Sequence, residues 1–297
     1  MRVAGTGHLR IGELSRRTGA SVDLLRAWEK RYGLLEPDRS EGGFRLYTDE
    51  DVARVRAMQS HLADGLAAAE AARRALENGG AETAGGELVT QSKRELAEAL
   101  ASFAEGRANA VLDRLLGALS LDAVLRDVVV PYLHDLGEAW ARGEVTIAQE
   151  HFASNVVRGR LLGLARGWGE GSGPHALLAC PPREQHDLGL IAFGLALRNR
   201  GWRITYLGQD TPVFTLEQEA RELDPDRVVV AASAPERLDD VLLDLAKLAT
   251  AAPLVIAGAG ASRELAGRAG AALLDGDPVS GAERLTRDLR AGARSRP

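Results

Sequence analysis

Five short apolar runs alternate with helix-length segments between His175 and Leu285. This alternation restricts the C-terminal part of the chain to a parallel sheet with helices on both faces. The runs are Ala176 to Cys180, Trp202 to Leu207, Val228 to Ala232, Leu254 to Ala257 and Ala271 to Leu274. An open sheet of that kind keeps its ligand chemistry in the loops at the C-terminal ends of its strands. The loop after the first run reads Glu184-Gln185-His186-Asp187-Leu188-Gly189. An imidazole there can bind a metal through one ring nitrogen, while a carboxylate two residues earlier accepts the proton on the other and fixes the tautomer. Glu184 and His186 have that spacing.

A match this short is common by chance, so the other strand ends decide its meaning. Ser233 follows the third run and Gly258-Ala259-Gly260 the fourth. A histidine loop, a serine loop and a glycine turn in this order resemble the cobalamin-binding domains, whose pattern is D-x-H-x-x-G, then S-x-V or S-x-T, then G-G. The resemblance implies a flavodoxin-like, Rossmann-type sheet at residues 174–290 with a corrinoid across its C-terminal edge. It makes His186 the lower cobalt ligand, with Glu184 and Gly189 beside it and Ser233, Gly258 and Gly260 along the slot for the nucleotide tail. This chain departs from the pattern in three places. Glu184 replaces Asp, Ala234-Pro235 follows Ser233, and Ala259 splits the glycine pair. A plain turn needing positive φ would also account for the glycines. Gly208-Gln209-Asp210, after the second run, lies on the same edge.

The first 77 residues say something different. Ile11 and Leu14 mark a short helix stopped by Gly19, and Ser21 caps a second from Val22 to Arg31. Two short helices joined by a tight turn form a helix-turn-helix whose second member enters a major groove. A turn-rich hairpin follows, then a helix opened by Thr48-Asp49-Glu50-Asp51. The string R-x-W-E-x-R-Y-G-L-L-x-P-x-R-x-x-x-G-F-R-L-Y, from Arg26 to Tyr47, resembles the winged helix-turn-helix of MerR-type regulators over residues 8–77. That resemblance implies operator DNA as partner and Arg26, Lys30, Arg39, Arg45 and Tyr47 as DNA contacts, with Trp28 half-buried between helix and wing. Charge alone would miss this module, since residues 1–77 hold 13 Lys and Arg against 12 Asp and Glu. The whole chain carries a formal net charge of −5, so DNA binding is expected of the N-terminal module alone.

Between the two ends, Gly-rich residues 78–88 read as a flexible linker and residues 89–170 as a four-helix bundle. Pro131 opens one of its helices and Gly143 ends it. Trp140, nine intervening residues and Glu150-His151 place an indole, a carboxylate and an imidazole at one helical corner, with Thr146 as the second helix's cap. The spacing W-x9-E-H resembles the cobalamin photoreceptors of the CarH and LitR type. There the resemblance implies adenosylcobalamin, with Trp140 capping its adenosyl group and Glu150 and His151 over its upper face. The histidine that follows the tryptophan in that family is Ala141 here. His134 lies seven residues before Trp140, roughly 10 Å along a helix axis, too far to replace it without movement.

The pattern predicts a multidomain α and α/β chain, and the combined resemblances imply a cobalamin-controlled, light-responsive transcription repressor. It would bind DNA as a homo-oligomer, a dimer or a tetramer. Two other assignments share parts of the pattern: a regulator of the same build that ignores cobalamin, and a corrinoid-carrying subunit of a methyltransferase system. No catalytic nucleophile or acid-base pair stands out, which points away from an enzyme. No apolar run reaches the length of a membrane span and no signal-peptide pattern opens the chain, so a cytoplasmic location is expected. The lone Cys180 excludes an intrachain disulfide and suits core packing in a reducing compartment. The tail from Arg290 to Pro297 is expected to fray.

Overall fold

The computed structural model describes residues 8–40, 42–63 and 66–294. They form two compact units divided between Gln91 and Ser92.

In the first unit, α1 (Ile11–Thr18) ends on Gly19 in the left-handed conformation, and α2 (Val22–Tyr32) starts from Ser21, whose side chain accepts from Leu24 N. Leu14, Leu25 and Trp28 turn inward, so Trp28 is buried rather than half-buried. The wing is an antiparallel pair, β1 (Asp38–Arg39) and β2 (Arg45–Leu46), followed by α3 (Asp49–Ala63). A single helix, α4 (Ala68–Ala101), runs through the stretch expected to be a flexible linker. Helix propagation gains one hydrogen bond per residue, and the Ala-, Glu- and Leu-rich turns on both sides offset the roughly 1 kcal/mol that each glycine costs relative to alanine.

The helical part of the second unit consists of the end of α4, α5 (Glu105–Ala118), α6 (Leu121–Val124), α7 (Val130–Ala141) and α8 (Ile147–Leu164), with Gln149 of α8 donating to the Ala101 carbonyl at the end of α4. A π-helical turn, Leu125–Val129, joins α6 to α7 without a break. Pro131 has no N–H for the carbonyl four residues back, and a widened turn just before it absorbs that mismatch. Thr146 and Gln149 form a capping box that fixes where α8 begins.

The α/β part follows as β3 (His175–Ala179), α9 (Leu188–Asn199), β4 (Arg203–Gly208), α10 (Val213–Leu223), β5 (Arg227–Ala231), α11 (Pro235–Asp239), α12 (Leu242–Ala251), β6 (Leu254–Ala257), α13 (Arg263–Ala269), β7 (Ala272–Leu274) and α14 (Pro278–Arg294). The strands are all parallel in the order β4-β3-β5-β6-β7, the flavodoxin-like arrangement. Leu177, Val228, Val230, Leu254 and Ile256 form its core with α10, α12 and α13. The tail continues as helix to Arg294 instead of fraying at Arg290, and residues 295–297 lie outside the described residues. Among the described residues no helix is long and apolar enough to cross a membrane.

Cys180 is fully buried, and burial, reinforced by the nearby carboxylates of Asp187 and Glu184, pushes its thiol up to about 12. A thiolate is the reactive form, so the native protein is expected to leave a disulfide reagent such as Ellman's unreacted at pH 8. One thiol per chain should appear only in denaturant. Rapid reaction of the native protein would contradict this packing.

Candidate functional site

Glu184 is 1% exposed and its two oxygens are saturated. Oε1 accepts from the backbone N–H of His186 at 2.8 Å and from its Nδ1 at 2.7 Å. Oε2 accepts from the backbone N–H and the hydroxyl of Ser233, both at 2.7 Å. Burial raises the pKa of this carboxyl. The backbone donors of Ser233 and His186, then their side chains, outweigh burial and hold it below the ordinary value. An ionised carboxylate only accepts, so Nδ1 of His186 carries a proton, and the neutral imidazole held this way has its lone pair on Nε2. The imidazole itself is largely exposed. An imidazole held this way is preoriented to act as a nitrogen ligand, with the supporting hydrogen bond in place.

His186 borders two cavities. One, of about 500 Å³, runs from His186 and Gly189 past Ser233 and Gly258 to Gly276 and Pro278. The other, of about 600 Å³, lies between α7, α8 and the loops after β3 and β4, and is lined by Trp140, Glu150, His151, Arg158, His186 and Gln209 among others. Trp140 leaves half its surface exposed, and Glu150 Oε2 binds His151 Nδ1 at 3.0 Å. His134 also borders this cavity, on the same side of α7 as Trp140, as two helical turns of spacing imply.

The two glycines separate. Gly258 has φ +88 and lines the first cavity, and a Cβ there would meet the Ala232 carbonyl oxygen at 2.3 Å. Gly260 is buried and is absent from the residues lining either cavity. A Cβ at Gly260 would meet the Ala234 carbonyl oxygen at 2.4 Å, so close backbone packing, not a ligand, accounts for this residue.

Three residues that the sequence reading missed stand beside the site. Asp187, 1% exposed, occupies the N-cap of α9 but makes no capping bond. Its carboxylate instead takes Arg158 from α8, with Nε to Oδ2 at 3.0 Å and Nη2 to Oδ2 at 2.8 Å, and the hydroxyl of Tyr206 from β4. The departure from ordinary capping was not visible in the sequence, because its partners lie 29 and 19 residues away.

In the N-terminal unit, Arg26 and Lys30 lie one helical turn apart on the exposed face of α2, opposite Leu25 and Trp28, while Arg39 and Arg45 are exposed on the wing. Arg45 Nε pairs with Glu29 Oε1 at 3.1 Å. Arg10 stacks over the exposed ring of Phe44, 4.5 Å from its centroid, adding a cation and an apolar edge to the wing. Tyr47 does not join this face. It is fully buried and gives its hydroxyl to Glu29 Oε2 at 2.8 Å, and its backbone pairs with Leu9. Tyr47 holds the wing to α2 and is not available as a DNA contact.

Residues 9–77 match the family model described as MerR HTH family regulatory protein, and residues 93–162 match the B12 binding domain model. The chain is 38% identical to the HTH-type transcriptional repressor CarH of Myxococcus xanthus over 85% of this chain and 89% of that protein. The chain belongs to the MerR-type regulators that carry a B12-binding domain. The HTH-type transcriptional repressor CarA of Myxococcus xanthus is 33% identical over 86% of this chain and 88% of that one. In fold, the monomethylamine corrinoid protein of Methanosarcina barkeri superposes with a TM-score of 0.52 at 17% identity, covering 65% of this chain and 96% of the other.

Family membership makes the chain a regulator and not an enzyme, which sets aside the methyltransferase-subunit assignment. A corrinoid held by a protein can take an imidazole nitrogen at one axial position and requires room on both faces of its ring. The free Nε2 of His186, between two cavities, meets that need, so the residues present fit cobalamin.

Two outcomes test these assignments. Gly258→Ala is expected to lower stability by about 2 kcal/mol in urea unfolding, from the positive φ and the clash with Ala232; an unchanged midpoint would mean that the loop relaxes freely. Arg39→Ala is expected to reduce the slope of log affinity against log salt on operator DNA by about 1, whereas Tyr47→Phe should leave that slope alone and cost about 1 kcal/mol of stability. A reduced slope for Tyr47→Phe would return Tyr47 to the DNA contacts.

Proposed function

We propose that this chain is a transcriptional repressor whose hold on operator DNA is set by adenosylcobalamin and released by light. The observation that carries the reading is His186, at the border of two cavities with its Nδ1 proton committed to Glu184. Nε2 would stand beneath cobalt, with Glu184 fixing the imidazole, Gly189 at the start of α9 and Ser233 and Gly258 along the slot for the nucleotide tail. Trp140, Glu150 and His151 would cover the opposite face, the indole against the adenosyl group and the Glu150 carboxylate toward ribose hydroxyls. When bound, adenosylcobalamin supplies a cobalt–carbon bond that visible light breaks. This chain's part is to bind the two faces from two different substructures, the α7–α8 corner and the sheet edge. A ligand held that way shifts the balance between conformations whenever it fits one of them better.

The repressor sign rests on the names of the two Myxococcus xanthus relatives. One winged module reads too few base pairs for tight specific binding, so a dimer or tetramer on DNA is the expected state. Operator contacts fall to Arg26, Lys30, Arg39 and Arg45.

Size-exclusion chromatography with an absorption spectrum tests the reading on protein loaded with adenosylcobalamin in darkness and then exposed to green light. The expected result is a bound corrinoid and an assembly whose mass falls on illumination. Bound corrinoid with a mass indifferent to light would overturn the light-release part. His186→Ala should release cobalamin and change the spectrum of what remains, while Arg45→Ala should weaken DNA binding and leave the spectrum intact. Ala141 and Ala259 favour one second reading, a regulator of the same build without cobalamin, and failure of the dark protein to retain any corrinoid would establish it.

A further inference from the structure

We propose that Arg158, Asp187 and Tyr206 are positioning residues that lock the His186 loop to helix α8, so that lower-face ligation and seating of the upper-face corner form one state. The inference rests on the reading of His186 as the cobalt ligand.

Asp187 directly follows His186, and its side chain gives up the ordinary role of a residue at a helix start. Both its oxygens accept from Arg158, whose guanidinium is anchored on a bundle helix, and Oδ2 also accepts from the Tyr206 hydroxyl. The arrangement is rigid from both sides. A planar guanidinium holds a carboxylate in one plane, and the Tyr206 ring is braced edge-on by Trp168, with centroids 5.5 Å apart at 80°.

Arg158 also lies two turns further along the helix that presents Glu150 and His151. Glu150, Ser154 and Arg158 repeat every four residues along one side of α8, and all three border the cavity. Ser154 donates to Glu150 at 2.7 Å, which continues the polar line along the helix. Eight residues of helix span roughly 12 Å. One stiff rod therefore carries an upper-face group at its start and a clamp on His186's neighbour two turns later. A displacement of α8 cannot leave Asp187 where it is without breaking a half-buried, charge-assisted pair in which Nε and Nη2 of Arg158 both converge on Oδ2. Direct hydrogen-bond partners of a ligating histidine change metal affinity about 10-fold to 100-fold when removed, and a clamp on the adjacent residue is expected to act at the lower end of that range.

The test uses the full chain loaded with hydroxocobalamin and reduced to the cobalt(II) form. Two readings are taken: the half-life of retained corrinoid on gel filtration, and the axial-nitrogen splitting in the paramagnetic resonance spectrum, with and without heavy-nitrogen labelling of the protein. In the unsubstituted chain the splitting should change on labelling, because the ligand nitrogen belongs to His186. Arg158→Leu is expected to shorten retention by about tenfold or more and to restore a share of unlabelled splitting from the cofactor's own base. Arg158→Lys should recover part of both. Tyr206→Phe, which removes only a hydroxyl, should move both in the same direction by less, and it decides the matter if Arg158→Leu fails to fold. Unchanged retention and splitting in Arg158→Leu and Tyr206→Phe would overturn the inference. So would faster loss with splitting still wholly from labelled protein, since that marks a merely structural role. Failure of the reading beneath it looks different: the unsubstituted chain itself would keep no corrinoid or show no splitting from labelled protein.

Discussion

The buried carboxylate of Glu184 is the interaction on which the site depends. A charge taken out of water costs several kcal/mol unless donors replace its hydration. Here every donor comes from one of two loops, that of His186 and that of Ser233. Those loops leave β3 and β5, which are far apart in sequence and adjacent in the sheet. The flavodoxin-like strand order therefore makes the site possible, and the carboxylate in turn holds the two strand ends together. The extra methylene of Glu over Asp does not prevent this bridge, with both oxygens placed at hydrogen-bond distance from their donors.

The same device recurs where substructures must be joined. Asp187 ties the sheet edge to α8 through Arg158 and to β4 through Tyr206. In the N-terminal unit Glu29 on α2 accepts from Tyr47 after the wing and pairs with Arg45 on it. In all three, an acidic side chain is satisfied by partners from a neighbouring element, so loss of the geometry strands a polar group as well as removing a contact. Such links fix orientation more than they add net stability, and orientation is what a ligand between two substructures and a wing on a duplex both require.

Backbone proximity explains residues that a motif would assign to a ligand. Gly260 answers to the Ala234 carbonyl, and Gly258 answers both to the Ala232 carbonyl and to the cavity it lines. Ala259 fills the place between them on the exposed side. The linker expected from residues 78–88 became helix because neighbouring turns extend cooperatively across glycines that are unfavourable one at a time.

Local chemistry was legible in the sequence. Period and turn residues announced the helix-turn-helix, the wing, the capped start of α8 and the five strands, because each depends on side chains close together in the chain. The pairing of Glu184 with His186 was legible for the same reason, lying two residues apart. Tertiary structure alone decided that Tyr47 is core, that Gly260 is buried outside the cavity linings, and that Asp187 belongs to Arg158 and Tyr206. Each of those facts depends on which distant segment fills the space around a side chain. Residue spacing does not encode that neighbour; the packing of helices on the sheet does.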